Sequence, residues 1–536
     1  MKTSQNTYDV IIIGSGIGGL TTGSLLAQLK NKRVLILERN FKIGGFTHIF
    51  KRNSEQGSYK WDVGLHYVGN MKQGEMPRAI FDFITRGGVT WNKMPENYDT
   101  FIYPEFTFKA RAGKDTLLSD LIVNFPEEEQ AIKKYFQDVE KAGKWLGRYN
   151  AFSVVPPYIK TVTDLISRNS FDYSKTTLKE YLDENFTDSK LKAVLASQWG
   201  DYGLPPSKAS FVIHAVVASH YFEGGYYPVG GAKTIADSVE PIIEEKGGKI
   251  LANHEVRKII VDDWKAVGVE VVKKMKDGTE VLSDFYADTF ISNAGAEITY
   301  RKLLTPKYSK SYTGELIKHS DYTGHVTLHL GLKESAEKLG VKGENLWIYD
   351  SYDHEKNYSE SRDIVSGLIH SAFVSFPGLK DLEGDGRTVE VIAFAAYDQF
   401  SKWKDQPWKK RDENYQQLKN NISNTLIEFV EKQLPGFKEM IDYQELSTPL
   451  STEFFTGNKF GNIYGVPATP ERYKNPAISV RTPLKNLFLS GADTTAGHGI
   501  VGAMMGGALA AGAAMGGLGI MKIFNKAMKF SNSASN

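Results

Sequence analysis

The sequence predicts an α/β fold, and three observations carry that prediction. An apolar, β-branched run, Tyr8 to Ile13, breaks into glycines and leads through a helical pattern to a second apolar run. A helical pattern from Thr234 to Lys246 is followed by short alternating strands that end at Ser292. Near the other end, Leu487-Phe488-Leu489 runs into Ser490-Gly491-Ala492-Asp493 and then a Gly/Ala-rich helix from about Ile500 to Leu518. Strands alternating with helices in this way are the mark of an α/β sheet packed between helical layers.

The first element is Tyr8 to Ile13, which has the pattern of a buried parallel strand. It ends in Gly14-Ser15-Gly16-Ile17-Gly18-Gly19, which fits G-x-G-x-x-G. Leu20 to Leu29 reads as a helix, Arg33 to Leu37 as a second buried strand, and Glu38 closes it. Strand, glycine turn, helix, strand and acid together form a Rossmann-type dinucleotide-binding unit. Gly14 allows the tight turn, Gly16 lets a pyrophosphate approach the backbone, and Gly19 lets helix and strand pack closely. The helix N-terminus offers unpaired N–H groups and a positive dipole end to the phosphates. Glu38 is placed to accept hydrogen bonds from the adenosine ribose. The competing reading is a glycine turn that merely packs a helix.

In the middle of the chain, Gly247-Gly248 caps the helical pattern. Strands follow over Lys249 to Leu251, Val256 to Val261, Val267 to Val272 and Phe285 to Ser292, with Asp277-Gly278 as a turn. Gly497-His498-Gly499-Ile500-Val501-Gly502 also fits G-x-G-x-x-G. No strand and acid follow it at the required distance, so it is not read as a second nucleotide site.

Composition narrows the chemistry. The 536 residues suit about two domains. They include no cysteine, which excludes disulfides, thiolate metal sites, iron–sulfur clusters and cysteine nucleophiles. Redox chemistry here needs a bound cofactor. A net charge of +2 without a dense basic block gives no sign of nucleic acid. No His/Asp/Glu spacing makes a metal site. No secretion signal is expected from the polar N-terminus, and the uncharged stretch from Thr494 to Met521 is too rich in Gly and Ala to read as a membrane span. The tail, Lys522 to Asn536, reads as either an amphipathic helix that touches membrane or a frayed, solvated end. The expected location is cytoplasmic, with peripheral membrane contact as the extension of that reading.

Particular segments resemble a known family. Glu38-Arg39-Asn40 followed by Gly44-Gly45-Phe46-Thr47 resembles the second glycine pair of the FAD-dependent family that includes amine oxidases and carotenoid desaturases. Trp61 to Gly69 resembles the D-x-G-x-H-Y-x-G segment of retinol saturases and their bacterial relatives. Tyr227 to Gly231, Gly247-Gly248 and Gly491 to Ala510 are similar to the same group, whose wider family includes plant carotenoid isomerases and bacterial phytoene desaturases. The resemblance spans nearly the whole chain and is specific in these pieces.

The resemblance implies an FAD-binding Rossmann-type domain assembled from residues 1–75, 226–299 and 481–522. An α+β substrate domain is inserted as residues 76–225 and 300–480, and 523–536 form a tail. It implies cofactor contacts at Gly14, Ser15, Gly16, Ile17, Gly18, Gly19, Glu38, Arg39, Gly44, Gly45, Phe46 and Thr47. Further contacts follow at Val256 (adenine), Asn293, Gly491, Asp493 (ribityl–pyrophosphate), Gly499, Ile500 and Val501. It implies a long apolar substrate such as a retinoid, a carotenoid or a polyunsaturated acyl chain, and leaves the electron donor open. The leading expectation is saturation of a carbon–carbon double bond by hydride from reduced flavin N5. The alternatives are a redox-neutral isomerisation, a desaturation, and a prenyl carrier that has lost catalysis. An amine substrate fits the distal segments less well. His66, Tyr67 and His498 are the catalytic candidates, each with a structural role as its competing reading. His214 and His220, on the aromatic-rich segment before Tyr226, read first as core histidines, with a place along the substrate channel as the alternative.

Overall fold

The computed structural model describes residues 6–155, 173–275, 277–318, 324–361 and 363–533. One seven-stranded sheet is assembled from distant parts of the chain. Strand Thr7–Ile13 pairs in parallel with Val34–Leu37 on one side and with Glu280–Ser292 on the other. Lys249–Leu251 extends the sheet beyond Val34–Leu37, and Leu487–Leu489 adds in parallel to Phe290–Ser292. His254–Asp262 and Lys265–Lys274 continue it as an antiparallel meander from the first half of Glu280–Ser292.

Helices cover both faces. Helix Ile17–Lys30 makes the crossover between the first two strands and packs against Gly499–Met515. A Cβ on Gly507 would lie 2.4 Å from the Gly18 carbonyl oxygen, and one on Gly506 would lie 2.3 Å from that of Gly491. The Gly/Ala composition of the second helix is therefore a packing requirement of this close crossing. Among the described residues, no helix is long and apolar enough to cross a membrane.

A second seven-stranded sheet runs in the order Ile441–Ser447, Gly324–Leu332, Thr388–Ala395, Ser371–Ser375, Asn345–Tyr349, Asn97–Tyr103, Phe106–Arg111. Helix Glu413–Glu431 packs with it in an aliphatic core. Helices Glu129–Ser153, Leu178–Asn185, Ser189–Ala196 and Phe211–His220 join it in a core rich in Tyr, Phe and Trp.

Three domain boundaries expected from sequence are displaced by packing. Helix Met76–Thr85 shares one hydrophobic core with Val10, Leu20 and Ala508, so it belongs with the first sheet. Tyr300, Leu303 and Leu316, together with Ala477 and Ile478, pack on the opposite face of the same sheet. The expected tail is part of a helix, Gly519–Ser533. Helix Gly519–Ser533 lies on Met76–Thr85, where Phe530 meets Phe83 edge-on at 5.7 Å and Ser531 Oγ donates to Asp82 at 2.8 Å.

Candidate active site

A single cavity of about 1780 Å³ runs from the glycine turn of the first sheet into the aromatic core of the second. That exceeds the roughly 300–1,000 Å³ of an ordinary ligand pocket, so it has room for a dinucleotide and another molecule.

At one end the walls are backbone. Gly14, Gly16, Ile17 and Gly18 line the cavity, and helix Ile17–Lys30 starts at Gly16 with no side chain capping its free N–H groups. Gly14 needs its glycine, because its φ is +96°. A Cβ on Gly18 would lie 2.5 Å from Asn293 Oδ1, and one on Gly19 would lie 2.2 Å from the Gly14 carbonyl oxygen. Gly19 therefore serves the helix–strand contact and does not itself line the cavity. Ser15 is likewise behind the wall. Its N–H and hydroxyl both donate to Glu38 Oε2, at 2.9 and 2.7 Å, and its Oγ accepts from Gly44 N–H at 3.0 Å. Glu38 Oε1 accepts from Asn40 N–H at 2.8 Å, so the acid braces the turn while still lining the cavity.

Arg39, Val256 and Asn293 line the same end. Gly45, Phe46 and Thr47 line the next stretch, with Gly44 behind them in a bridge to Gly16. Gly491 and Asp493 close the wall. Asp493 accepts from Ala296 N–H at 2.8 Å and Val466 N–H at 2.7 Å, clamping three segments together. Gly499, Ile500 and Val501 form the first turn of the second uncapped helix facing the cavity. A glycine-crowded turn and two uncapped helix N-termini are the donor set an anionic dinucleotide cofactor needs, and they fit FAD.

Beyond Thr47 the walls change character. His66 and Tyr67 line the cavity with Trp199, Asp201, Tyr221, Trp347 and Phe373. The Trp61–Gly69 segment is tied down at both ends. Asp62 accepts from Ala232 N–H at 2.7 Å and from Tyr227 OH, and burial pushes its carboxyl up to about 8. Gly69 N–H donates to His220 Nε2 at 2.8 Å. A Cβ on Gly69 would lie 1.9 Å from the His220 carbonyl oxygen.

His66 Nδ1 is 2.9 Å from Glu390 Oε2, and His329 Nδ1 is 3.5 Å from Glu390 Oε1. Burial alone would raise the Glu390 carboxyl, but the two imidazoles outweigh it and hold it at about 2. Lys380 Nζ, also buried, donates to the His66 carbonyl oxygen at 3.0 Å, to Ser375 Oγ at 2.7 Å and to Asn345 Oδ1. Desolvation brings Lys380 down to about 7.

The remaining histidine candidates separate. His220 lines the cavity as a hydrogen-bond acceptor, and burial pulls it down to about 4. His214 does not reach the cavity. It sits between Tyr135 OH at 2.8 Å and Tyr202 OH at 3.3 Å. On helix Phe211–His220 the cavity face is Ile213, Val216, Val217 and His220, and position 214 is turned about 100° away from 213. His498 lines the cavity but is held from behind, with Arg472 Nη1 and the Val466 carbonyl oxygen both 2.9 Å from its Nε2. Burial, then the neighbouring guanidinium, push it well below its usual value, so it stands neutral. Arg472 itself is buried and donates to the carbonyls of Val466, Ala492 and Thr494, bracing the loop ahead of the second helix.

The sequence reading missed Glu390, His329, His325, Lys380, Asp99, Asp201 and Arg472. Two left a trace. His325, Thr327 and His329 alternate along Gly324–Leu332 and all line the cavity, a polar stripe within an apolar strand. Glu390 is a lone acid in Thr388–Ala395, directly opposite His329.

The sheet topology and the donor-lined cradle define a Rossmann-type flavoenzyme with a second sheet whose residues line the same cavity. The chain belongs to the flavin containing amine oxidoreductase family, which matches residues 17–515, and its cofactor is FAD. It is 33% identical over 526 residues to the zebrafish (Danio rerio) all-trans-retinol 13,14-reductase, covering 93% of this chain and 84% of that protein. It is 25% identical over 540 residues to the chloroplastic prolycopene isomerase of Arabidopsis thaliana, covering 97% and 84%. A zebrafish protein described as an inactive all-trans-retinol 13,14-reductase is 28% identical over 546 residues, covering 95% and 86%. Among solved structures, the cyclohexylamine oxidase of Brevibacterium oxydans superposes with a TM-score of 0.58 at 15% identity, covering 99% of this chain and all of that one, which shows a shared fold.

Proposed function

We propose that this enzyme saturates a carbon–carbon double bond of a long apolar polyene. The observation that carries the reading is the second half of the cavity, an aromatic channel that continues from the flavin cradle. Bound FAD, when reduced, supplies the hydride. The chain's part is to align the polyene, exclude water and supply a proton. Trp199 stacks on Phe394 at 4.7 Å, and Trp347 packs on Phe373 at 4.6 Å, giving flat walls for a conjugated chain. The retinol reductase and prolycopene isomerase relatives act on molecules of this class by name.

The second reading, redox-neutral isomerisation, rests on the prolycopene isomerase relatives. Product mass analysis separates the two. Holoenzyme reduced with dithionite is incubated anaerobically with retinoids, carotenoids and polyunsaturated fatty acids. Saturation gives a product heavier by two hydrogens with flavin reoxidised in step. Unchanged mass with altered retention, and flavin still reduced, rejects saturation for isomerisation.

The same reading gives the channel a membrane-facing mouth. Phe524 of the last helix lines the cavity with Met76 and Met505, while Leu518 and Met521 are exposed beside Lys522, Lys526 and Lys529. An apolar edge flanked by cations suits peripheral contact with an anionic bilayer. In flotation assays the protein should rise with anionic vesicles, and a variant with all three lysines changed to Glu should stay at the bottom. Equal flotation of both would reject this contact.

A further inference from the structure

Saturating a double bond consumes a proton as well as a hydride, and one acid on the aromatic side of the cavity is built to deliver it. The other acids that line the cavity are committed elsewhere. Glu38 and Asp493 brace the nucleotide end, Glu297 pairs with Arg301 at 2.9 Å, and Glu445 pairs with Arg52 at 2.6 and 3.0 Å. Glu255, the remaining one, lies within 3.5 Å of Arg257 and Lys274. Asp201 lies in the aromatic wall between Trp199 and Tyr202, faces the cavity and has no cationic partner among the described residues.

Its hydrogen bonds assign a proton. Tyr67 OH lies 3.0 Å from Asp99 Oδ2 and 3.3 Å from Asp201 Oδ2. A phenol carries one hydrogen and cannot donate to both carboxylates at once. Both contacts are satisfied when one acid keeps its own proton. Asp99 is the ionised one, because Asn345 Nδ2 donates to it at 2.8 Å and Gln198 Nε2 at 2.9 Å. Tyr67 then donates to Asp99 and accepts from Asp201.

We infer that Asp201 is the general acid of the reaction, a catalytic residue that protonates one carbon of the double bond as hydride reaches its neighbour. This rests on the saturation reading. Two C–H bonds form and the π bond is lost, while the flavin returns to its oxidised state and Asp201 is left as carboxylate. Dithionite in the assay recharges the flavin, and water restores the proton after product leaves. The electrostatics agree with the assignment. Burial, then the Asp99 charge, hold Asp201 well above the ordinary carboxyl value, and the contacts with the Tyr67 and Tyr221 hydroxyls offset only part of the shift. Asp99, with more donors and the Lys380 charge near it, is raised only to about 6, chiefly by burial. Two acids joined by one phenol are thereby split into a proton holder and an anion.

The test compares wild type, Asp201→Asn, Asp201→Glu and Tyr67→Phe as FAD holoenzymes. The probes are all-trans-retinol, prolycopene and linoleic acid in D2O. Asp201→Asn should bind FAD normally and reoxidise reduced flavin with the polyene about 100-fold more slowly or worse. Its residual product should carry deuterium on both faces of the protonated carbon, where wild type labels one. Asp201→Glu should recover a measurable part of the rate and the facial selectivity. Without any substrate, the infrared spectrum of wild-type holoenzyme at neutral pH should hold a protonated-carboxyl band that Asp201→Asn lacks. Should Asp201→Asn fail to fold, Tyr67→Phe carries the test through the same band, which it should shift. An Asp201→Asn enzyme with wild-type rate and one-face labelling would overturn the assignment. So would an unchanged infrared band. If wild type itself converts no probe to a heavier product, the saturation reading has failed, and the acid loses its reaction with it.

Discussion

The two halves of the cavity recognise their contents by opposite means. The nucleotide end is made of backbone. Gly14, Gly16 and Gly18 line it, two uncapped helix N-termini point at it, and its acids Glu38 and Asp493 are spent on bracing the backbone at Ser15, Asn40, Ala296 and Val466. The substrate end is made of side chains. His66, Glu390, His329, Tyr67, Asp99, Asp201 and Lys380 come from well-separated segments and meet within an aromatic shell. Recognition through backbone demands small residues at neighbouring positions and tolerates no added Cβ. Recognition through buried ionisable groups demands partners, since an unpaired charge away from water is costly.

Breaking each half should therefore look different. The largest effect is expected at the cradle. In Gly16→Val the new Cβ would sit 3.0 Å from Asn293 Nδ2 and its branches would fill the phosphate path. The purified variant should be colourless and take up no added FAD, and all flavin chemistry should be lost. Full flavin absorbance in that variant would put the cofactor elsewhere.

A smaller and more selective effect is expected from Glu390→Gln. Flavin content should stay at the wild-type level, while turnover falls by about 100-fold as His66 loses the carboxylate that orients it. The pH dependence of stability sharpens this. Glu390 is held at about 2 in the folded chain against an ordinary value of 4.5. A carboxyl depressed on folding contributes stability that is complete above the unfolded value and lost as pH falls through the folded one. The stability advantage of wild type over Glu390→Gln should thus be full above pH 4.5 and shrink as pH approaches 2. A gap that stays constant across that window in denaturant titrations would show that the imidazoles do not hold the Glu390 charge.

The same contrast explains how far the sequence could be read. The α/β class and the glycine segments at the nucleotide end of the cavity were legible, because each piece is local. The Gly14–Gly19 turn and Glu38 lie within one strand–helix–strand unit, and Gly491 to Val501 follow a single short strand. His66 and Tyr67 were legible as part of a motif, but what they touch was not. Glu390 lies 324 positions from His66, and Asp201 lies 134 from Tyr67. His214 stands in the core, as a lone histidine on an apolar helix is expected to, but helix Phe211–His220 is apolar on every side, so periodicity gave no hint that His220 is on the face that meets the cavity. The displaced domain boundaries have the same origin. Met76–Thr85 is an unremarkable amphipathic helix until the last helix of the chain covers it.

By itself the sequence determined where backbone would be left bare: the glycine turn, the helix starts and the small-residue helix that must pass close to them. These are properties of consecutive residues, whose φ angles and missing Cβ atoms act within a few ångströms along the chain. Only the tertiary structure decided which ionisable side chains share a site. The second sheet sets Glu390 opposite His329, and the loop after the first hairpin carries His66 to Glu390 and Tyr67 between Asp99 and Asp201. Burial then converts those meetings into shifted protonation states, because removing water makes each charge depend on the neighbours the fold has supplied.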